Sequence, residues 1–301
     1  MGYKLSLEQI AFILEAFFGG ISIRRIVCQF RDRYGLPISA STVLRLIVKW
    51  VQLSYEAVMF FLSEGRILIA GSKLKLDFKL HLGDIWEIDE TYLPVRGKRL
   101  PLVLVRDLKT GFIIVGKLVW SVTANAIKEV LIIAKSLAFK CPKELRCDGL
   151  QSYARPVKVV FKGNTKLSIH KREGDMGMNQ AMEETIRALK DRLKKMLGLH
   201  SFKVSPIIVI GVILDFNFVR RSEALGGKTP AELALRRKPL LSRGEGWLFL
   251  LKLAKHYKRF SNAKKRTNRS GYQTSLDSFL DFSTLSMGLN PPRDECGLSK
   301  L

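Results

Sequence analysis

Trp86-Glu87-Ile88-Asp89-Glu90-Thr91-Tyr92 alternates in the manner of a β-strand, and the segments around it extend that reading in both directions. Period two places Glu87 and Asp89 on one side of the strand and Glu90 on the other. Glu90 is therefore expected to point away from any site built around Asp89. The strand is expected over 85–93, with Arg96-Gly97-Lys98-Arg99 as its turn. A second strand follows over 100–108, then a turn at Lys109-Thr110-Gly111 and a third strand over 112–120. Thr123 can cap an amphipathic helix reaching Phe139, with Ile127, Val130, Leu131 and Ala134 on its packing face. A fourth strand, 144–147, ends at Asp148. Three meandering strands, a helix, and another strand followed by helices give an α/β class chain. That order is the one of a ribonuclease-H-like core, a mixed sheet flanked by helices.

Three acids stand out in this frame. Asp89 lies in the first strand, Asp148 precedes Gly149 at the end of the fourth, and Glu183 opens a long basic helix after thirty-four intervening residues. In that helix Met182, Ile186, Leu189, Leu193 and Met196 form an apolar stripe at helical spacing. Glu183, Arg187, Lys190 and Lys194 form a polar stripe one residue on, which puts a carboxylate at the edge of the core and cations behind it. Taken singly, Asp89 could be a cross-strand partner, Asp148-Gly149 a turn dipeptide, and Glu183 an ordinary i,i+4 partner of Arg187. Taken together they read as a metal site. Hard divalent cations need carboxylate oxygens, and phosphoryl transfer with two such ions needs them converging from separate elements.

The charge balance names the substrate class. Fifty-one Lys and Arg against 27 Asp and Glu leave a 301-residue chain at +24, which attracts a polyanion, most simply nucleic acid. At 47% hydrophobic and 26% charged the chain is expected to be globular. Cys28, Cys141, Cys147 and Cys296 form no CxxC pair, which argues against zinc and for a reduced cytoplasm. The longest uncharged run, Val204 to Leu214, is far short of a membrane span, and the N-terminal apolar stretch lacks the basic lead of a signal peptide.

The first fifty residues read as three helices. Leu7 to Phe18 is stopped by Gly19-Gly20, Ser22 caps a second helix to Tyr34, and Gly35-Leu36-Pro37-Ile38 is a tight turn. Ser39 or Ser41 starts a third helix reaching at least Trp50, and 54–62 reads as a helical connector. Helix, turn, helix is the helix-turn-helix plan. It would aim Ser41, Thr42, Arg45 and Lys49 at DNA; the alternative is a small bundle whose polar face is simply solvated.

The combination resembles the DDE transposases of small prokaryotic insertion sequences, in the subgroup with a thirty-four-residue final spacer. The matching segments are Trp86 to Tyr92, Arg106-Asp107 with Gly111, and Asp148-Gly149 with Tyr153. Further on they are Asn179-Gln180-Ala181-Met182-Glu183 with Arg187 and Lys190, then Asn217-Phe218, then Gly227-Lys228-Thr229-Pro230-Ala231-Glu232. The resemblance implies that Asp89, Asp148 and Glu183 are catalytic acids binding two Mg²⁺ ions, with Mn²⁺ as a substitute. It also implies that Arg187 and Lys190 steady phosphates, and that the N-terminal helices find terminal inverted repeats. The partners it implies are double-stranded DNA, as element ends and target, and further copies of the chain in the DNA complex, in a nucleoid-associated cytoplasmic setting. Two positions depart from the family pattern: Gln180 stands where Asn is usual, and Ile186 where His is frequent. Neither is a candidate metal ligand.

The expected division is a helix-turn-helix domain over 1–52, a connector over 53–83, the catalytic domain over 84–238 and a basic extension over 239–301. In that extension Lys264, Lys265 and Arg266 belong to a run of eight cations without an acid, either a further DNA-binding arm or a divergent tail. Two other functions compete with an active transposase. One is a catalytically inactive or adopted DNA-binding derivative, and the other is a ribonuclease-H-like nuclease that cuts without joining.

Overall fold

The computed structural model describes residues 5–64, 66–68, 75–148, 151–170, 180–195, 199–236 and 246–267. Ser6 opens α1 (Leu7–Phe18) with a capping box: its hydroxyl accepts from the Gln9 N–H while the Gln9 side chain accepts from its own N–H. Ser22 caps α2 (Ile23–Tyr34), and Gly35 ends it in the left-handed conformation at φ 64°. Of the two candidate caps for α3 (Ala40–Glu64), Ser39 is the one used, accepting from the Thr42 N–H.

The third helix and the connector prove to be one element. α3 runs unbroken for 25 residues, through position 52, because neither Gly nor Pro interrupts the sequence from 40 to 64. Val43, Ile47, Val51, Ser54, Val58, Phe61 and Leu62 form its buried stripe. α3 is long and apolar enough to cross a membrane by length and composition. Its apolar face is instead taken up by other helices described below. Beyond it, where an ill-defined link was expected, β1 (Arg66–Leu68) and β2 (Lys75–Asp77) pair as an antiparallel ribbon.

The meander follows the sequence reading closely. β3 (Ile85–Val95), β4 (Lys98–Asp107) and β5 (Ile113–Leu118) pair antiparallel in turn. Arg96 and Gly97, at φ 47° and 79°, make the tight two-residue turn between the first two. Thr123 caps α4 (Ala124–Ala138), whose Ile127, Val130, Leu131 and Ala134 are all buried. The chain then enters β6 (Glu144–Asp148), which lies parallel to β3 on the side away from β4. Two elements were not anticipated: α5 (Ala154–Phe161) and β7 (Lys166–His170), the latter extending the sheet parallel to β6. The final order is β5-β4-β3-β6-β7, a five-stranded mixed sheet with β3 at its centre.

α6 (Gln180–Lys195) buries Met182, Ile186, Leu189 and Leu193 as its stripe requires; Met196 lies outside the described residues. α7 (Ser205–Leu214) is buried along its whole length and runs into a π-helical turn over Asp215–Val219. That turn places Asn217 beside β5, where its amide donates to the Ile113 carbonyl at 2.8 Å and accepts from the Ile113 N–H at 2.9 Å. Thr229 and Glu232 form a capping box at the start of α8 (Pro230–Ala234).

The extension supplies a helix of the core. α9 (Gly246–Thr267) packs on α1 and α3, with Trp247 fully buried and stacked on Phe18 at 4.9 Å between centroids. Trp247 also donates to the Asp215 carboxylate at 3.0 Å. The three N-terminal helices thus share a continuous core with the segments behind the sheet. Gly211 sits at this junction, and a Cβ there would lie 2.2 Å from the Phe18 ring. Gly211→Ala is therefore expected to lower stability by about 1–3 kcal/mol through overpacking. Chemical denaturation reads this directly, and an unchanged midpoint would mean that Phe18 is free to move aside.

Candidate metal centre

The register of two strands decides where the acids meet. β3 and β6 pair in parallel up to Ile88 opposite Cys147. Asp89 and Asp148 are the next residues on each strand, so they leave neighbouring strands on the same face of the sheet. β6 stops there, while β3 continues to Val95.

This strand end corrects the expectation for Glu90. One oxygen each from Asp89, Glu90 and Asp148 lie within 4.8 Å of one another, a group that could hold a metal ion. Alternation does send Glu90 to the opposite face, toward Trp86 and Ile88. Its carboxylate nevertheless comes within reach of Asp89 and Asp148. The Tyr153 hydroxyl, fully buried, donates to the Glu90 carboxylate and fixes it there. The signal available in the sequence was Tyr153 five residues after Asp148, but its partner could not be read from spacing.

Asp89 is buried at 9% exposure, and its carboxylate accepts from the Glu90 N–H at 2.8 Å. Burial is the largest influence on it, followed by the Asp148 charge and then by Glu90 and Glu183, and together they raise its pKa to about 7. Burial also raises Glu90, reinforced by Asp148. One Asp148 carboxylate oxygen is buried with no hydrogen-bond partner among the described residues. An unsatisfied carboxylate oxygen beside two further acids, one of them costly to ionise, is the donor set a hard divalent cation requires. The residues fit such an ion.

Glu183 stands apart from this trio. It is exposed in the first turn of α6 and outside the cluster of converging oxygens, although its charge is felt at Asp89. The stripe behind it is oriented as expected, with Arg187 and Lys194 exposed and Lys190 half-buried. Ile186, the departure from the family pattern, is a core residue. Glu87 is fully buried and bonded to Arg106 at 3.3 Å, so it braces the sheet beneath the site. Asp107 is likewise structural, accepting from the Thr110 N–H and hydroxyl and from the Gly83 N–H.

The other candidates lie elsewhere. Ser41, Arg45 and Lys49 are exposed on α3 and Thr42 is half-buried. Thr42 accepts from Arg45 at 3.2 Å, and the Ser39 hydroxyl bonds both Ser41 and Thr42, so these side chains are pre-ordered by one another. Ser41 also lines a cavity of about 890 Å³ between the N-terminal helices and residues 199–208. Lys264, Lys265 and Arg266 fall in the last turns of α9, and their side chains lie outside the described residues.

Comparison with known proteins bears on the sheet and its acids. Residues 83–217 match the family model of a DDE domain. No curated protein matches the chain. Among solved structures, the catalytic core domain of HTLV-2 integrase in complex with magnesium is 18% identical and has a TM-score of 0.42. That match covers 52% of this chain and 99% of that one. The catalytic core domain of BIV integrase is 17% identical over 51% of this chain and 95% of its own, with a TM-score of 0.41.

The raised pKa of Asp89 has a measurable sign. Between its ordinary value of 3.8 and about 7 the folded state holds a proton that the unfolded chain has released. Stability of the metal-free protein must therefore fall as pH rises through that window. A shift of this size corresponds to a few kcal/mol, on the order of 1.4 per unit. Asp89→Asn is expected to flatten the fall and to stabilise the protein at pH 8 in chelator, measured by urea denaturation across pH. A wild-type profile already flat from pH 4 to 8 would contradict the strain assigned to this carboxylate.

Proposed function

We propose, from the match of residues 83–217 to the family model of a DDE domain, that the chain is an insertion-sequence transposase that cuts and transfers DNA strands. The protein binds the terminal inverted repeats of a mobile element, cleaves at their ends and joins the 3′ ends to target DNA. The observation that carries this reading is the convergence of Asp89 and Asp148 just past the β3–β6 pairing, with one buried Asp148 oxygen unpartnered among the described residues.

Asp89, Asp148 and Glu183 would hold two Mg²⁺ ions, with Mn²⁺ able to substitute. When bound, such ions supply Lewis acidity, activating water or a 3′-hydroxyl for attack and offsetting charge on the leaving oxygen. The protein's own contribution is placement. Asp89 and Asp148 are fixed by the strand register, and Glu183 approaches from α6. Tyr153 holds Glu90 beside the pair, where the added negative charge strengthens cation binding. Arg187, Lys190 and Lys194 follow Glu183 along one helix and would grip the phosphates that flank the scissile bond, where positioning supplies most of the rate. α2 and α3 would read the element ends through Ser41, Thr42, Arg45 and Lys49, with Lys264, Lys265 and Arg266 adding affinity for any DNA. Action on DNA by paired ends further implies a homo-oligomer, working in the cytoplasm at the nucleoid.

Asp89→Asn, Asp148→Asn and Glu183→Gln are each expected to abolish Mg²⁺-dependent strand cleavage and leave DNA binding nearly intact, assayed on element-end duplexes by gel. Glu90→Gln should slow cleavage without abolishing it. If Glu183→Gln kept full activity and Glu90→Gln lost it, the third ligand would be Glu90. Cleavage absent from the wild-type protein under all metal conditions would support the inactive, adopted DNA-binding derivative instead.

The reading of ends is tested separately. Alanine at Ser41, Thr42 and Arg45 is expected to reduce discrimination between element-end and random DNA, because base contacts specify. Alanine at Lys264, Lys265 and Arg266 should weaken all DNA alike and flatten the salt dependence by about one unit of slope per lost phosphate contact. Titrations at several salt concentrations distinguish the two, and full end preference in the α3 variant would remove the reading role from that helix.

A further inference from the structure

The turn between β3 and β4 carries a feature that the acid site does not use. Three cations project there, Arg96, Lys98 and Arg99, all exposed. Each is held over an aromatic ring: Arg99 over Tyr92 at 5.6 Å, Lys98 over Trp120 at 5.7 Å and Arg96 over Phe202 at 5.9 Å. Trp120 and Phe202 themselves touch at 5.2 Å between centroids. Among the described residues none of the three cations is paired with an acid, and no acid occurs in the sequence from 91 to 105.

The platform is also anchored. The Arg96 N–H donates to the Leu199 carbonyl at 2.8 Å, and Val95 bridges Leu199 in parallel, tying the turn to the segment that carries Phe202. Cations preset on ring faces lose less side-chain freedom on meeting a ligand than free surface lysines do. Tyr92 remains 44% exposed, an apolar ring face at the surface beside a guanidinium. Cations interleaved with exposed aromatic faces are the arrangement that holds a nucleic-acid strand, phosphates on the charges and an unstacked base on the ring.

We propose that this hairpin is a second DNA-contact surface, gripping the strand that leaves the acid cluster. The inference rests on the DNA-cutting role given above. β3 leads directly from one site to the other. Tyr92 is three residues past Asp89 and shares the face of Glu90, and Arg99 pairs on that same face with Pro94, five past Asp89. At about 3.4 Å per strand residue these are roughly 10 and 17 Å from the acids. At 3.4 Å of rise per nucleotide the contacts fall about three to five nucleotides from the scissile bond.

The test is the salt dependence of binding to a fluorescein-labelled 30-base-pair duplex of random sequence and to the matching single strand, followed by anisotropy. The hairpin variant combines Arg96→Asn, Lys98→Ala and Arg99→Ala; asparagine tolerates the left-handed backbone at position 96. It is expected to lower the slope of log K against log salt on the duplex by about three units. A charge-matched control, Lys158→Ala, Lys162→Ala and Lys166→Ala at exposed positions on and beside α5 and at the start of β7, should leave the slope unchanged. Tyr92→Ala should weaken single-strand binding by about tenfold with no change of slope. Circular dichroism and thermal midpoints verify that each variant is folded. Equal slopes for the hairpin variant and wild type, or equal losses in hairpin and control variants, overturn the hairpin assignment while leaving the transposase reading in place. A wild-type protein that binds neither probe overturns both.

Discussion

Two carboxylates on adjacent parallel strands repel one another, and the packing of the sheet and its helices holds them there. The parallel pairing of β3 with β6 fixes Asp89 beside Asp148. Burial then denies them the water that would screen the repulsion, which is why the Asp89 pKa rises to about 7. The opposing stabilisation comes from packing that has no acid in it. Trp86 and Ile88 on the other face of β3, Leu145 and Cys147 on β6, and the stripes of α4 and α6 are all buried. A strand pair gripped this firmly can carry an unfavourable charge pair as a standing cost, ready to be offset when a cation binds.

The supporting polar groups beneath the site are arranged on the same principle. Glu87, one pleat before Asp89 on the same face, is neutralised by Arg106 across the β3–β4 ladder. Asp107 is consumed by backbone and hydroxyl donors from its own turn. Asp107 has both carboxylate oxygens bonded, whereas Asp148, like Glu87, keeps one buried oxygen with no partner among the described residues. What separates the two is charge: Glu87 has the Arg106 guanidinium beside it, while Asp148 is in no ion pair among the described residues.

Much of this was legible in the sequence because it is local. Period two gave the meander, Thr123 and Ser22 gave helix starts, and the 182–193 stripe gave the face of α6. What was not legible depends on partners distant in sequence. Alternation tells which face Glu90 leaves by, but not that its carboxylate meets Asp148 and the Tyr153 hydroxyl, about sixty positions on. β7 is short and sits at the sheet edge, so Lys166 to His170 carries little apolar signal. α9 hid its role for another reason: its cations are conspicuous, whereas the residue that anchors it, Trp247, finds its partner Phe18 over two hundred positions earlier.

The continuity of α3 has a mechanical meaning. Twenty-five residues at 1.5 Å each make a strut of about 37 Å, and no hinge is built into it. Its first turns hold Ser41 and Thr42, while its later turns are locked into the core by Phe61 and Leu62. A rod packed along its length, from Val43 to Leu62, moves as one piece. That length equals about eleven base steps at 3.4 Å each. Lengthening such a rod by one residue would also turn its outer face by about 100°, since an α-helix has 3.6 residues per turn. In the role proposed for its outer end, that face would meet DNA again only after insertions close to whole turns.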